Sequence, residues 1–275
     1  MTTSSDLILT ARDSGVTTLT MNMPRRYNGW TFEMMHDLRA ALEREAANDD
    51  TKVLILTGAD PYYCAGVNLA GTLKLDHPKK LHASIAAQNA ALFDMFLDFP
   101  KPIIAAVNGP AIGAAVTTAT LCDAIVASEK ATFSLPFARL GVPPEGCSSY
   151  VFPEKFGQEV TRRIMGPEGW TPTAQEALEI GLVDKCVPHE DLLKQAHKLA
   201  KTWIKKGRER TYPAGATREQ LKAINAQESQ ALATAFLSPP FLQGQFNFLM
   251  SRKKYGPAAM FLVLLKTRPI WSLLL

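Results

Sequence analysis

Short apolar runs alternate with amphipathic stretches over the first two thirds of the chain, and a helical periodicity takes over towards its end. Leu7 to Thr10 and Val16 to Met21 are rich in Leu, Val, Ile and Thr and flank Asp13-Ser14-Gly15, which predicts a hairpin. Thr31 is placed to cap a helix whose apolar positions, Met34, Leu38, Ala41 and Leu42, recur at i, i+4, i+7 and i+8. Lys52 to Thr57 reads as a buried strand, Gly58 to Lys80 as a loop and Leu81 to Leu97 as a helix with Ile85, Leu92 and Phe96 on its apolar face. The order then repeats. Pro102 to Val107 predicts a strand, Gly109-Pro110 a turn, Ala114 to Leu121 a helix of small residues, and Ala124 to Ala127 a strand. Thr173-Ala174-Gln175-Glu176 is a capping box, Gly181 a C-terminal stop, and Leu182 to Val187 a further strand. From Glu190 through Trp203 and Arg218 to Phe236 the pattern is helical throughout. Such an order predicts an α/β core of short parallel strands closed by a helical C-terminal cap, with no linker to divide it.

Composition narrows the partners more than the fold. The chain has 275 residues, 47% hydrophobic and 20% charged, with 30 basic and 26 acidic side chains. A net charge of +4 is too small to argue for nucleic acid, yet a few exposed cations could meet an anionic substrate. Cys64, Cys122, Cys147 and Cys186 lie far apart, without zinc or CxxC spacing, and read as reduced thiols. The five histidines also lack metal spacing, so no metal is expected. The N-terminus has neither a basic start nor an apolar core, which argues against a secretory signal. No stretch reaches about 18 uninterrupted apolar residues, so no membrane span is expected. Pro257 to Leu275 comes nearest and is broken by Lys266, Arg268 and Pro269. GxSxG, a Walker loop and a Rossmann fingerprint are absent, which weighs against esterase, NTPase and dehydrogenase chemistry.

Three segments carry candidate chemistry. Glu145 ends the apolar stretch Leu140-Gly141-Val142-Pro143-Pro144 and has no basic side chain within five residues. Cys64-Ala65-Gly66-Val67 and Ile112-Gly113-Ala114-Ala115 are small-residue turns, each following a strand and running towards a helix. Amides at a helix start lack intrahelical partners and sit at the positive end of its dipole. Two of them meeting at one oxygen would make an oxyanion hole. A hole plus one isolated carboxylate is the minimum needed to take a proton from a carbon next to a carbonyl.

In order and spacing, several segments resemble the enoyl-CoA hydratase/isomerase (crotonase) superfamily over roughly Leu7 to Lys253. They are Met23-Pro24-Arg25-Arg26-Tyr27-Asn28, Tyr63 to Leu69, Pro100 to Gly113, Leu121 to Ala124, Pro136 to Ser149 and Thr173 to Ala177. Within it the chain looks most like the peroxisomal Δ3,Δ2-enoyl-CoA isomerases. The resemblance implies a spiral of ββα units over residues 1–253 with a helical C-terminal trimerisation region, and it leaves residues 254–275 as an apolar tail of unassigned role. It implies that the amides of Val67 and Ala114 hold a thioester oxygen. Ala65, Gly66, Val67, Asn68, Leu69 and Gly113 would line the acyl-CoA site, Arg25 and Arg26 would contact the CoA phosphates, and Glu145 would be the base. No cofactor is implied, since coenzyme A belongs to the substrate. Hydratases of the superfamily use two glutamates at positions held here by Thr117 and Phe137, so the resemblance favours isomerisation in fatty-acid β-oxidation. The alternatives are a hydratase-like enzyme on an unusual acyl-CoA and a non-catalytic acyl-CoA-binding module. A homotrimer or dimer of trimers is implied, as is a peroxisomal location, although Leu273-Leu274-Leu275 is not a peroxisomal tripeptide and the cytoplasm is the other expectation. Asn68 stands where relatives often carry Asp.

Overall fold

The computed structural model describes residues 7–67 and 76–274. Its main sheet has six strands: β1 (Ile8–Asp13), β2 (Val16–Met21), β3 (Val53–Gly58), β4 (Ile103–Val107), β6 (Ala124–Ser128) and β8 (Lys185–Val187). They lie in the order β1-β2-β3-β4-β6-β8, antiparallel only between β1 and β2. β3, β4 and β6 are buried at every position, as strands covered on both faces must be. β1 forms the more exposed edge.

Side-chain alternation along the strands divides the interior in two. Val53, Ile55, Ile104, Ala106 and Val126 face Leu192, Ala196, Ala200 and Trp203 of α7 (Leu192–Lys205). Leu54, Leu56, Ile103, Ala105, Val107 and Ile125 face the larger core, with Met34, Leu38 and Leu42 of α1 (Phe32–Ala47) and Phe93 and Phe96 of α2 (Pro78–Leu97).

A two-stranded sheet, β5 (Ala111–Ile112) with β7 (Phe133–Ser134), lies beside the main one. Single parallel bridges extend it, from Cys64 to Ala111 and from Trp30 to Val67. Successive units therefore give one strand to the main sheet, one extended segment to the small sheet, and a helix. β4, β5 and α3 (Ala114–Thr120) form one such unit; β6, β7 and α4 (Phe137–Leu140) form the next. This is the ββα spiral of the crotonase-like fold.

Several boundaries differ from the sequence reading. β1 runs to Asp13, leaving Ser14 and Gly15 as the turn. The helix expected from Leu81 begins at Pro78. β8 is only Lys185–Val187, because the amides of Leu182 and Val183 both turn back to the Ala177 carbonyl at the end of α6 (Ala174–Glu179). The helical stretch expected from Glu190 onward is two helices, α7 and α8 (Arg218–Phe236), parted by a segment holding Gly207 and Pro213. Arg210 anchors that segment through its ion pair with buried Asp123 at 2.6 Å and a bond to the Leu121 carbonyl at 2.7 Å. α5 (Ser148–Met165), broken at Gly157, was not foreseen.

Two more helices close the chain, α9 (Pro239–Ser251) and α10 (Tyr255–Trp271). Phe241, Leu242, Leu249, Ala258, Phe261 and Leu264 join Leu81 and Ile85 of α2 and Leu232 and Phe236 of α8 in one further core. Residues 255–271 thus pack on the helical cap. The outer face of α10 is apolar and exposed, with Val263 54% and Ile270 74% accessible. Among the described residues, Tyr255–Leu274 is the one helical stretch long and apolar enough to cross a membrane, by length and composition alone.

Candidate active site

The elements converge on one cavity of about 160 Å³ between the small sheet, α2, α3, α4 and α8. Ala65, Gly66, Val67, Ile112, Gly113 and Ala114 form one side, and Ile85, Leu92, Leu232 and Phe236 form another. Pro136, Phe137, Leu140, Val142 and Glu145 complete the lining. Glu145 is the only ionisable group among these residues.

The backbone of the first wall is held tightly. The amide of Trp30 donates to the Gly66 carbonyl at 2.8 Å, and that of Ile112 to the Cys64 carbonyl at 3.0 Å. Gly66 has φ +78°, and a Cβ there would sit 2.5 Å from the Ile112 carbonyl oxygen, so only glycine fits. Beneath it, buried Asn28 ties the entry turn, accepting from the Met23 amide at 2.9 Å and donating to the Ala59 and Tyr62 carbonyls at 2.7 Å each. Gly113 precedes α3, so Ala114 is the first residue of that helix. Neither the Val67 amide nor the Ala114 amide donates to another main-chain group among the described residues.

Glu145 stands on a turn built just as firmly. Its carbonyl accepts from the Ser148 hydroxyl at 2.7 Å and from the Ser148 amide at 3.3 Å. Gly146 has φ +67°, and a Cβ there would lie 2.4 Å from the Phe93 ring and 2.8 Å from Thr117 Oγ1. Cys147 follows with φ +64°, a left-handed conformation that costs a residue with a side chain about 1–2 kcal/mol. The Glu145 carboxylate has no hydrogen bond or ion pair among the described residues, and the residue is half-buried in the cavity lining. Burial among apolar groups, reinforced by the nearby Glu228, pushes it up to about 8. A carboxyl so placed is a strong base once ionised.

The expected residues divide into three groups. Glu145, Ala65, Gly66, Val67, Gly113 and Ala114 come together at the cavity. Arg25 and Arg26 do not line it; they are exposed on a 3-10 turn, Pro24–Arg26. Asn68 and Leu69 lie outside the described residues. At the two positions where hydratases carry glutamate, Phe137 lines the cavity as a plain aromatic, and the Thr117 hydroxyl is turned to the Ala114 carbonyl at 3.3 Å.

Two buried polar groups near the site are not among the sequence expectations. Asn89 lines the cavity from α2 and donates to Ser229 Oγ at 3.1 Å. Glu228 on α8 lies behind the base. Each interrupts an apolar helical stripe: Ile85-Asn89-Leu92-Phe96 in one case, Leu221-Asn225-Glu228-Leu232 in the other. Polar residues at core positions were the available signal.

Buried thiols surround the site without forming another. Burial raises Cys64 and Cys122 to about 12 and raises Cys147 as well, so all three stay protonated. A Ser128-His189-Asp60 chain, with contacts of 3.0 and 3.1 Å, looks like a hydrolytic triad. Ser128 is wholly buried, however, and its oxygen accepts the Lys130 amide at 3.1 Å, so the chain is structural.

The enoyl-CoA hydratase/isomerase family model matches residues 11–247. Human enoyl-CoA delta isomerase 2 is 36% identical over 271 residues, covering 90% of this chain and 64% of its own length. The chain thus spans less than two thirds of that relative. Mouse peroxisomal enoyl-CoA delta isomerase 3 is 32% identical over 269 residues, covering 91% of this chain and 80% of that protein. A crystal structure of an enoyl-CoA hydratase/isomerase from Pseudoalteromonas atlantica superposes with a TM-score of 0.76 at 25% identity, covering 89% of this chain and 97% of the other. With a matching sequence model, matching relatives and a matching fold, the chain belongs to the enoyl-CoA hydratase/isomerase family.

Proposed function

We propose that the protein is a Δ3,Δ2-enoyl-CoA isomerase that moves the double bond of a 3-enoyl-CoA to the conjugated 2-position, in fatty-acid β-oxidation. The observation that carries this reading is a single carboxylate, Glu145, facing an apolar cavity with no second acid or base in its lining. A 1,3-proton shift needs one group that takes a proton and gives it back. Water addition needs water activated and a second proton placed, and Thr117 and Phe137 supply neither.

In this mechanism the thioester oxygen lies between the amides of Val67 and Ala114. Glu145 removes a proton from C2, and negative charge moves onto that oxygen as the dienolate forms. The two amides stabilise it in a site that excludes most water, where each donor is worth about 2.7–4 kcal/mol. Glu145 then returns the proton to C4, leaving the conjugated thioester. Its raised proton affinity narrows the gap to the weakly acidic carbon.

The exposed Arg25 and Arg26 are proposed to meet the phosphates of coenzyme A outside the cavity. The exposed apolar face of α10 is proposed as a contact in a homotrimer, which light scattering would measure. A peroxisomal location is proposed from the likeness to the mouse peroxisomal isomerase.

The test is turnover of a 3-enoyl-CoA, followed as ultraviolet absorbance of the conjugated product, for the wild type and Glu145→Gln. Loss of activity in the variant is expected. Hydration of a 2-enoyl-CoA instead would establish the hydratase, and CoA binding without turnover would establish the binding module.

A further inference from the structure

Glu228 is a carboxylate in a place where the apolar stripe of α8 calls for a hydrocarbon. It is 6% accessible. A buried carboxylate persists only where its oxygens are satisfied, and here both are. Oε2 accepts the Cys147 amide at 2.6 Å, and Oε1 accepts the Ser149 amide at 2.8 Å. These amides belong to the first turn of α5, where intrahelical partners are missing. No side chain at the start of α5 caps it. The cap comes from a residue 81 positions away in sequence.

The location of that cap gives it a chemical consequence. The turn it clamps is Glu145-Gly146-Cys147, with two successive left-handed residues that would relax if released. Gly146 is walled by Phe93 and Thr117, and the Glu145 carbonyl is fixed by Ser148. Glu228 closes the remaining side. The Glu145 side chain is thereby left projecting from a rigid turn.

We propose that Glu228 is a positioning residue for Glu145: its carboxylate bridges the amides of Cys147 and Ser149 and locks the turn that aims the base into the cavity. This rests on the isomerase reading for its effect on rate. It also has an electrostatic side. Burial pushes the Glu228 carboxyl up from its ordinary value, while the two amide donors at the helix N-terminus act against that and favour the ionised form. When ionised, Glu228 opposes the ionisation of Glu145 and adds to the raised proton affinity that burial gives it. The other groups facing this region are Cys147 on the turn, Asp94 on α2, and Lys222 on α8. The Cys147 thiol is protonated, and Lys222 is paired with Asp94 and Asp98 at 3.8 and 2.7 Å. Removing the Glu228 charge must therefore lower the proton affinity of Glu145.

The experiment compares Glu228→Gln and Glu228→Asp with the wild type in two readouts. One is kcat and kcat/KM on a 3-enoyl-CoA across pH. The other is hydrogen exchange of the Cys147 and Ser149 amides, which needs no substrate. In Glu228→Gln we expect kcat to fall by about ten- to hundredfold, the scale of a lost charge-assisted hydrogen bond, with KM little changed. The acid limb should move to lower pH, and the two amides should exchange faster. Glu228→Asp keeps the charge but shortens the reach, so kcat should fall while the acid limb stays near the wild-type position. It also serves as the test if the Gln variant fails to fold. Unchanged amide exchange in a folded variant, or wild-type kcat in both, overturns the proposal. Wild-type protein that is inactive on 3-enoyl-CoAs overturns the isomerase reading instead, and amide exchange still decides the role of Glu228.

Discussion

The two working walls of the cavity are built on opposite principles. The wall with Val67 and Ala114, whose main-chain amides are proposed as the donors, is formed by Ala65, Gly66, Val67, Ile112, Gly113 and Ala114. Its parts come from neighbouring strands of the small sheet and are tied by backbone hydrogen bonds. The wall with Glu145 depends on side chains. Its turn is shaped by Phe93 and Thr117 and capped by Glu228, residues drawn from three helices spread along the chain. The first wall is set by backbone geometry, and at Gly66 it admits no side chain. The second tolerates backbone strain, because distant side chains hold it.

Three substitutions or conditions test this contrast, beginning with the largest effect. Glu145→Gln keeps the shape of the second wall and removes its base, so kcat should fall by about 10²–10⁴-fold, the usual worth of a general base. Steady-state turnover on a 3-enoyl-CoA measures it, and a loss under tenfold would move the base elsewhere. Gly66→Ala attacks the first wall. Its methyl would sit 2.5 Å from the Ile112 carbonyl and push on the segment leading to Ala114. A loss of about 10²–10³-fold in kcat is expected, comparable to removing an oxyanion donor. Gly181→Ala is the control, since Gly181 shares a positive φ but opens to empty space. Equal losses in both variants, read with circular dichroism as a folding check, would argue for general damage. The smallest effect is that of pH. A base raised to about 8 must lose its proton to act, so kcat/KM should rise about tenfold per pH unit below that value and level off above it. A profile flat from pH 6 to 9 would mean that Glu145 is not held as the cavity implies.

The first wall was also the more legible in sequence. Strands β3, β4 and β6 are short, mostly apolar runs. Thr31 caps α1 by accepting from the Met34 amide at 3.3 Å, and Thr173 forms its capping box with Glu176. Local chemistry fixes these elements, so local reading finds them. The second wall is set by contacts at long range. The helix after Cys147 was hidden because Cys147 is left-handed without being glycine, and because Pro153 and Gly157 interrupt the pattern. Glu228 looks like an ordinary helical carboxylate until α8 is seen to lie across the turn. The segment between α7 and α8 lies inside a stretch expected to be helical throughout, and it holds Gly207 and Pro213. Its path is decided by Arg210 meeting Asp123, a pairing 87 residues apart.

The solitude of Glu145 in its cavity bears on the fate of an isotope. A carboxyl carries one proton at a time, so a deuteron lifted from C2 has no companion on the same group with which to mix. No protein hydrogen bond to that carboxyl, among the described residues, offers the deuteron a path out to solvent. The atom delivered to C4 should therefore be the atom removed from C2, and the product should remember the labelling of its substrate even in ordinary water.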